Sequence, residues 1–211
     1  MQRLELVHDW LARQFPGQPL SVAPASADAS FRRYFRVTFD DGQTRIVMDA
    51  PPEHEDCRPF VHVAGLLHEA GVHAPEILAQ DLERGLLLLT DLGSTTYLDA
   101  LDASNADVLF RDALDALVKW QLASRPDALP PYDEALLRRE LNLFPDWYVA
   151  RHLGSPLTAP QQEVLEQVQA LLLQNILAQP RVFVHRDYMP RNLMVCADNP
   201  GVLDFQDAVH G

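Results

Sequence analysis

A group of polar residues near the end of the sequence has the types and the spacing needed for phosphoryl transfer. His185, Arg186 and Asp187 follow an apolar run, Asn192 comes five residues after Asp187, and Asp204 comes seventeen residues after it. Phosphoryl transfer from ATP requires a carboxylate near the attacking hydroxyl and further oxygen ligands that hold Mg²⁺ against the phosphates. The spacing therefore predicts Asp187 as the catalytic carboxylate and Asn192 and Asp204 as metal ligands.

The elements around these residues favour the same interpretation. Apolar patterns predict one strand that leads into the His-Arg-Asp triplet and two strands after it, the last two joined by an Asp-Asn-Pro-Gly turn. Taken singly, His185 would be a core histidine and Asp187 a turn residue, but the complete strand, loop and hairpin order favours catalysis. The predicted strands span residues 181–184, 193–195 and 202–205.

Hydrophobic periodicity divides the remaining sequence into a strand-rich half and a helical half. The first half begins with an amphipathic helix and continues with two β-hairpins and one inserted helix, whereas the second half has long helical patterns. This order predicts an α+β fold with a boundary at Gly93, giving an N-terminal lobe at 1–93 and a helical C-terminal lobe at 94–211. The predicted helices span residues 4–15, 60–70, 108–121 and 161–179, and the predicted hairpins pair 31–39 with 44–48 and 76–82 with 86–90.

The composition excludes several classes of protein. The 211 residues carry 30 acidic and 17 basic side chains, a formal net charge of -13, which is a poor match for binding nucleic acid or anionic lipid through the overall field. No apolar run is long enough to span a membrane, and the N-terminus lacks the apolar segment of a signal peptide, so a cytoplasmic location is expected. Cys57 and Cys196 are expected to be free thiols.

Three segments resemble the aminoglycoside phosphotransferase family, a family of small-molecule kinases related to protein kinases and choline kinases. They are HRDYMPRNLM at 185–194, SADASFRRYFR at 26–36 and MDAPP at 48–52. The resemblance implies a two-lobe, protein-kinase-like fold, ATP and Mg²⁺ as cofactors, and a small-molecule substrate. The last two segments resemble members that phosphorylate the anomeric hydroxyl of N-acetylated amino sugars in cell-wall recycling, which implies a sugar 1-phosphate as product.

The same resemblance implies roles for further residues. Asp187 would orient the acceptor hydroxyl and take up its proton, and His185 would brace the loop that carries it. Residues 25–30 would cover the ATP phosphates, with Ser26 and Ser30 as hydroxyl donors. Small residues before a strand also form ordinary turns, so this segment alone is a weak signal.

The end of the predicted strand 86–90 resembles the hinge that holds adenine in kinases. The residues that follow, Asp91 and Leu92, would contact the nucleotide through their backbone groups. A core strand that ends in a turn is an alternative interpretation, and the two do not exclude each other.

The sequence departs from the kinase pattern at the third strand. Kinases carry a lysine there that contacts the ATP phosphates, but the only lysine of this chain, Lys119, falls in a predicted helix of the other half. Arginine can bridge phosphate oxygens in a bidentate way. We therefore hypothesise that one of four arginines replaces the lysine, with Arg36 preferred, the alternative being a solvated strand face. The four are Arg32, Arg33, Arg36 and Arg45.

The segment 138–148 mixes polar and aromatic residues in a helical context. The ring of Trp147 suits a sugar face and Glu140 would accept hydrogen bonds from sugar hydroxyls, although amphipathic core packing is the more general explanation for this segment. Arg191, next to Asn192, would reach a phosphate or a substrate carboxylate, or would be a plain surface arginine.

Two other functions stay open at this point. A kinase of the same fold acting on an aminoglycoside, choline or another amine fits the acidic balance, because a fold does not fix a substrate. A non-catalytic, nucleotide-binding pseudokinase is suggested by the missing lysine, although a scaffold would not require Asp187, Asn192 and Asp204. The chain stops at Gly211, seven residues after Asp204, so a C-terminally truncated kinase is expected. The oligomeric state is not predicted.

Overall fold

The computed structural model describes residues 2–26 and 31–211, in which helices and short strands follow a strand-rich first part. The strands are β1 Leu20–Ser26, β2 Arg33–Phe39, β3 Thr44–Asp49, β4 Ile77–Asp81, β5 Leu86–Thr90, β6 Phe183–Val184, β7 Leu193–Met194, β8 Gly201–Val202 and β9 Val209–His210. The helices are α1 Gln2–Gln14, α2 Arg58–Glu69, α3 Tyr97–Ala100, α4 Ala106–Leu122, α5 Glu134–Leu143 and α6 Ala159–Leu177, with a π-helix at Phe144–His152 and a 3-10 turn at Pro190–Asn192. The predicted α+β class is confirmed.

Five strands form one antiparallel sheet in the order β1-β2-β3-β5-β4. Side chains alternate across the sheet, and one face packs against α1. The core between α1 and the sheet is formed by buried residues of both. They are Val7, Trp10, Leu11, Phe35, Val37, Val47, Leu86 and Leu88. This packing fixes which side of β2 and β3 is directed towards α1 and which is directed away from it.

A buried carboxylate ties α1 to the same face of the sheet. Asp49, at the end of β3, is fully buried and accepts hydrogen bonds from the guanidinium groups of Arg3 and Arg33, the former through Nε at 3.0 Å. Arg3 also donates to the carbonyl of Arg84 at 2.8 Å. Because a buried charge is costly unless it is paired, this cluster both requires and fixes the position of α1.

The chain divides into two compact units. The first comprises residues 1–120 and 186–207, and contains the five-stranded sheet and the β7-β8 hairpin. The second comprises residues 121–185 and 208–211, and contains α5, the π-helix, α6 and the β6-β9 pair. The division into lobes at Gly93 stays a prediction.

The predicted helices and the two hairpins of the first half are confirmed to within a few residues. The predicted strand 202–205 is wrong in its extent, because β8 ends at Val202. The backbone of Leu203 donates to the carbonyl of Asn192 at 2.9 Å, and Asp204 then adopts a left-handed conformation with φ of 58°, which no strand accommodates.

Two further expectations can be compared with the structure. Cys57 and Cys196 are free, as predicted, and burial raises the pKa of both thiols. Among the described residues, none of the helices combines the length and the apolar character that a membrane crossing needs.

Candidate active site

The main pocket is a cavity of about 350 Å³ in the first compact unit. Its wall comes from the face of the sheet opposite α1, its rim from the segment after β5, and its floor from the segments around β7 and β8. The lining residues are Ala25, Tyr34, Arg36, Ile46, Phe60, Pro75, Leu89, Thr90, Asp91, Leu92, Gly93, Ser94, Thr96, Arg191, Asn192, Met194, Leu203 and Asp204. The pocket therefore brings together six residues predicted from the sequence: Arg36, Asp91, Leu92, Arg191, Asn192 and Asp204.

Residues 91–93 form a hinge segment that is held by Arg36. The guanidinium of Arg36 donates to both carboxylate oxygens of Asp91, at 2.6 and 3.0 Å, and to the carbonyl of Gly93 at 2.8 Å. Burial by itself raises the pKa of Asp91, but hydrogen bonds from Arg36 and from the backbone of Gly93 outweigh it and lower the pKa below its usual value. The same contact raises the pKa of Arg36. The arginine preferred for phosphate binding is thus bound to the hinge.

The four candidate arginines have different surroundings. Arg33 lies on the α1 face, bound to Asp49. Arg45 pairs with Val37 across β2 and β3 and lines a separate surface cavity with Phe15 and Phe39, so the structure does not bring Arg45 to the main pocket. Arg36 lines the main pocket from β2, whereas Arg32 directly precedes that strand and is not among the described residues that line the pocket.

Arg32, directly before β2, forms an ion pair with Glu55, which lies just before α2. The distance between Nη2 and the carboxylate oxygen Oε2 is 2.9 Å, and the two side chains are only 13% and 19% exposed. A half-buried arginine paired with a carboxylate next to a helix is the arrangement that a lysine-glutamate pair gives in kinases. Glu55 could not be singled out from the sequence, because the partner of this glutamate was expected to be a lysine.

The side-chain amide of Asn192 joins the segment after β8 to the predicted catalytic loop, which comprises residues 185–192. Its Nδ2 donates to the carbonyl of Asp187 at 2.9 Å and to the carboxylate of Asp204 at 3.3 Å. Both partners are acceptors, so the amide orientation is fixed and Oδ1 is the atom directed away from them. Asp187 is half-buried in this loop.

Two residues of this region adopt the left-handed backbone conformation, which is uncommon for residues with a side chain. Arg186 has φ of 75° and Asp204 has φ of 58°. Arg186 donates from Nη1 to the carbonyl of Asp207 at 3.3 Å, which connects the catalytic loop to the segment after β8 a second time. Phe205 packs on Phe60 of α2 with ring centroids 4.6 Å apart.

The donor set fits a hard divalent cation. Mg²⁺ prefers oxygen ligands and is usually bound by one or two protein groups, with waters and phosphate oxygens completing the shell. Asn192 Oδ1 and the carboxylate of Asp204 would supply the protein oxygens. A further oxygen, Oε1 of Gln206, is buried two residues beyond Asp204 with no hydrogen-bond partner among the described residues. These groups suit a hydrated magnesium ion.

The other residues of the loop are well anchored. His185 is 3% exposed and follows β6 directly, in the second unit. Tyr188 donates its hydroxyl to the carbonyl of Ala113 in α4 at 2.7 Å, and burial raises its pKa. The loop therefore has a buried side chain before Asp187 and a hydrogen bond to α4 directly after it.

Two of the predicted substrate residues lie in the second unit. Glu140 in α5 accepts a hydrogen bond from the hydroxyl of Tyr132. Trp147 in the π-helix is 56% exposed, and the guanidinium of Arg151 lies over its ring at 4.1 Å. The third, Arg191, is exposed at the rim of the main pocket in the first unit.

The predicted phosphate loop is described only in part. Ala25, at its start, lines the main pocket. Ser26 is the last residue of β1, whereas Ser30 lies outside the described residues.

The sequence of the chain matches a known protein family. A family model described as the phosphotransferase enzyme family matches residues 21–211. The chain therefore belongs to the phosphotransferase enzyme family.

Within that family, the chain is similar to two relatives that share one name. The chain is similar to an N-acetylmuramate/N-acetylglucosamine kinase from Pseudomonas aeruginosa, with 63% identity over 92% of this chain and 57% of the relative. It is also similar to a protein of the same name from Neisseria meningitidis, with 43% identity over 100% of this chain and 64% of the relative. The chain thus spans less than two thirds of the length of these relatives.

Solved structures share the fold. An ADP-bound aminoglycoside phosphotransferase, APH(2'')-Ib, superposes with a TM-score of 0.66 at 14% identity, over 98% of this chain and 71% of that chain. The choline kinase LicA from Streptococcus pneumoniae gives a TM-score of 0.67 at 13% identity, over 98% and 70% of the two chains. The predicted kinase-like fold is therefore confirmed.

Proposed function

We propose that the chain forms the ATP- and Mg²⁺-dependent part of a cytoplasmic kinase that phosphorylates the anomeric hydroxyl of N-acetylmuramate or N-acetylglucosamine during peptidoglycan recycling. The observation that carries the proposal is the hydrogen bond between Asn192 and Asp204 at the floor of the pocket. Asn192 also donates to the carbonyl of Asp187, which lies in the same loop as Asn192. The names of the relatives from P. aeruginosa and N. meningitidis supply the acceptor.

The residues of the loop would divide the chemistry between them. Asp187 orients the acceptor hydroxyl and takes up its proton as the oxygen attacks phosphorus. Asn192 and Asp204 hold the cation, and His185 braces the loop from its buried position. When bound, Mg²⁺ would neutralise phosphate charge and ATP would supply the phosphoryl group. Positioning by this chain and fixed charges account for most of the rate in such a reaction.

The nucleotide would occupy the main pocket. The backbone of Asp91 and Leu92 would bind the base, and residues 25–30 with Ser26 and Ser30 would cover the phosphates. Arg36 would act on the nucleotide by holding the hinge, since its guanidinium is bound to Asp91 and Gly93.

Arg32 is the arginine that we propose for the role of the missing lysine. Its side chain is only 13% exposed, it is paired with Glu55, and it lies close in sequence to the proposed phosphate loop. Guanidinium groups are well suited to phosphate because they present several donors in a plane. Arg191, at the rim of the pocket, would contact a phosphate or the carboxylate of an acceptor.

The acceptor itself would meet Glu140 and Trp147. An exposed indole ring offers the flat apolar surface on which a sugar stacks, and a carboxylate accepts hydrogen bonds from sugar hydroxyls. Trp147 is kept in place by Arg151, and Glu140 by Tyr132.

An acceptor screen tests the proposed function. ATP consumption by the chain is measured with N-acetylmuramate, N-acetylglucosamine, choline and aminoglycosides, and the phosphorylated product is located by NMR. Stimulation by the N-acetylated sugars with phosphate on the anomeric oxygen is the expected result. Stimulation by the amines alone would favour a kinase for cationic substrates, and nucleotide binding without stimulation by any acceptor would favour a pseudokinase.

A further inference from the structure

Gln206 is a buried polar residue beside the proposed metal ligands. It lies between Phe205 and Asp207, two residues after Asp204, and is 7% exposed. Glutamine is mostly found on protein surfaces, and a buried side-chain amide normally has partners for both its oxygen and its nitrogen.

The amide nitrogen of Gln206 joins two carboxylates. Nε2 donates to Oδ1 of Asp204 at 2.9 Å and to Oδ2 of Asp207 at 3.3 Å. Rotating the amide by half a turn would place Oε1 against two carboxylate oxygens, which repel it, so the orientation follows from the partners. The other carboxylate oxygen of Asp204 accepts from Asn192. The carboxylate is therefore held from both sides by amide groups.

The amide oxygen of Gln206 is buried and has no hydrogen-bond donor among the described residues. Leaving a buried acceptor without a partner costs free energy, and such atoms in native structures usually mark a water or ion that is bound there. The neighbouring carboxylates exclude an anion. An ordered water, with hydrogens to donate, is the partner that fits this position.

We propose that Gln206 is a positioning residue of the metal site. Its Nε2 fixes the orientation of the Asp204 carboxylate, and its Oε1 accepts a hydrogen bond from an ordered water at the site. This inference rests on the proposed function, in which Asp204 binds Mg²⁺. Groups that orient a metal ligand in this way typically change metal affinity by about 10-fold to 100-fold when they are removed.

The test measures metal binding directly, by the electron paramagnetic resonance signal of free Mn²⁺ titrated into the chain with ADP. Gln206→Met keeps the side-chain length but removes both amide groups, and is expected to weaken Mn²⁺ binding about 10-fold. Binding of ADP without metal, measured by calorimetry in EDTA, is expected to stay unchanged. Gln169→Met is the matched control, because Gln169 is 5% exposed, lies in the other compact unit and donates to Asn142.

The possible outcomes separate this inference from the proposed function. Unchanged Mn²⁺ affinity in Gln206→Met, together with a loss in Asp204→Asn, would overturn the role of Gln206 and leave the metal site intact. Mn²⁺ binding that is no stronger in the unmodified chain than in Asp204→Asn would overturn both the role of Gln206 and the proposed metal site. A loss of metal-free ADP binding in Gln206→Met would mean that the residue supports the fold of the pocket, which also contradicts the inference.

Discussion

Asp187 is the residue on which the proposed chemistry depends most directly. Asp187→Asn keeps the shape of the side chain but removes the base, so turnover is expected to fall by about 10²-fold to 10⁴-fold. ATP affinity is expected to change little, because the carbonyl of Asp187, and not its carboxylate, is the group that holds Asn192. Rates and ATP binding are measured in parallel, with Asp107→Asn on the exposed side of α4 as control. Near-normal turnover would refute the assignment.

Arg32 and Arg33 are neighbours in sequence that pair with different carboxylates, Glu55 and Asp49, which makes them a matched pair. Arg32→Ala is expected to raise the KM for ATP by about 10-fold to 100-fold, since a charge-assisted hydrogen bond to phosphate contributes about 1.5–3 kcal/mol. Arg33→Ala removes the same charge on the α1 face and is expected to lower stability with little effect on KM. Steady-state kinetics at saturating acceptor distinguish the two. Equal KM values for Arg32→Ala and the unmodified chain would exclude Arg32 from phosphate binding.

At the scale of elements, the link between β2 and the hinge segment should depend on pH. Asp91 has a lowered pKa, so its contribution to stability is present above the usual aspartate pKa of about 3.9 and is lost as the pH falls through its folded value. Asp91→Asn is expected to cost about 1–2 kcal/mol at pH 7, and this difference should shrink below about pH 4. The difference in stability between Asp91→Asn and the unmodified chain is measured from denaturant midpoints at pH values from about 7 to below about 4.

The control for Asp91 is the exposed pair of Asp81 with Arg84. Their side chains are 21% and 46% exposed, and the ion pair spans 3.2 Å. Asp81→Asn is expected to cost less than about 1 kcal/mol at any pH, as exposed pairs do. A cost for Asp81→Asn as large as that for Asp91→Asn would show that the hinge contact has no special weight.

The turn between β4 and β5 tests a second element. Gly85 has φ of 70°, and a β-carbon there would come 1.8 Å from the carbonyl oxygen of Ala50. Gly42, in the turn after β2, has φ of 81° but has open space around it. Gly85→Ala is therefore expected to destabilise the chain by more than about 2 kcal/mol and Gly42→Ala by about 1 kcal/mol, measured by urea denaturation. Similar losses of stability in the two variants would mean that the left-handed backbone conformation, and not the contact with Ala50, determines the cost.

The elements also explain what sequence could and could not predict. The helix α2 and the strands β2 to β5 were predictable because their apolar periods are regular and Gly71 and Gly85 mark their ends. The strand β9 was not predicted because two residues carry no period. The predicted strand at 202–205 failed because an apolar run does not reveal the left-handed conformation of Asp204.

The candidate site was predictable to a similar extent. The spacing of Asp187, Asn192 and Asp204 is a local signal, so it could be found without a structure. The partners Glu55 and Gln206 depend on contacts between distant segments or on burial, which spacing does not encode. Arg36 and Arg45 were grouped in the sequence by type, and only the register of β2 and β3 separates their surroundings.

For the molecule as a whole, the net charge of -13 implies self-repulsion in the folded state. Salt screens this repulsion, whereas the ion pairs of Asp49 and Asp91 are screened less because both carboxylates are buried. Raising NaCl from about 20 mM to about 200 mM is expected to stabilise the chain by about 1 kcal/mol, which corresponds to a rise in Tm of about 2–4 °C. A fall in Tm in calorimetry would mean that attractive surface pairs outweigh the net charge.

The left-handed backbone at Asp204 restricts the residue types that this position can accept. Glycine, asparagine and aspartate are the residues that adopt this conformation most readily. Of these three, glycine offers no ligand and asparagine offers a neutral one, so aspartate alone combines the required backbone with a negative charge. Conformation and chemistry thus select the same residue independently, and a library that randomises position 204 should return a single active amino acid.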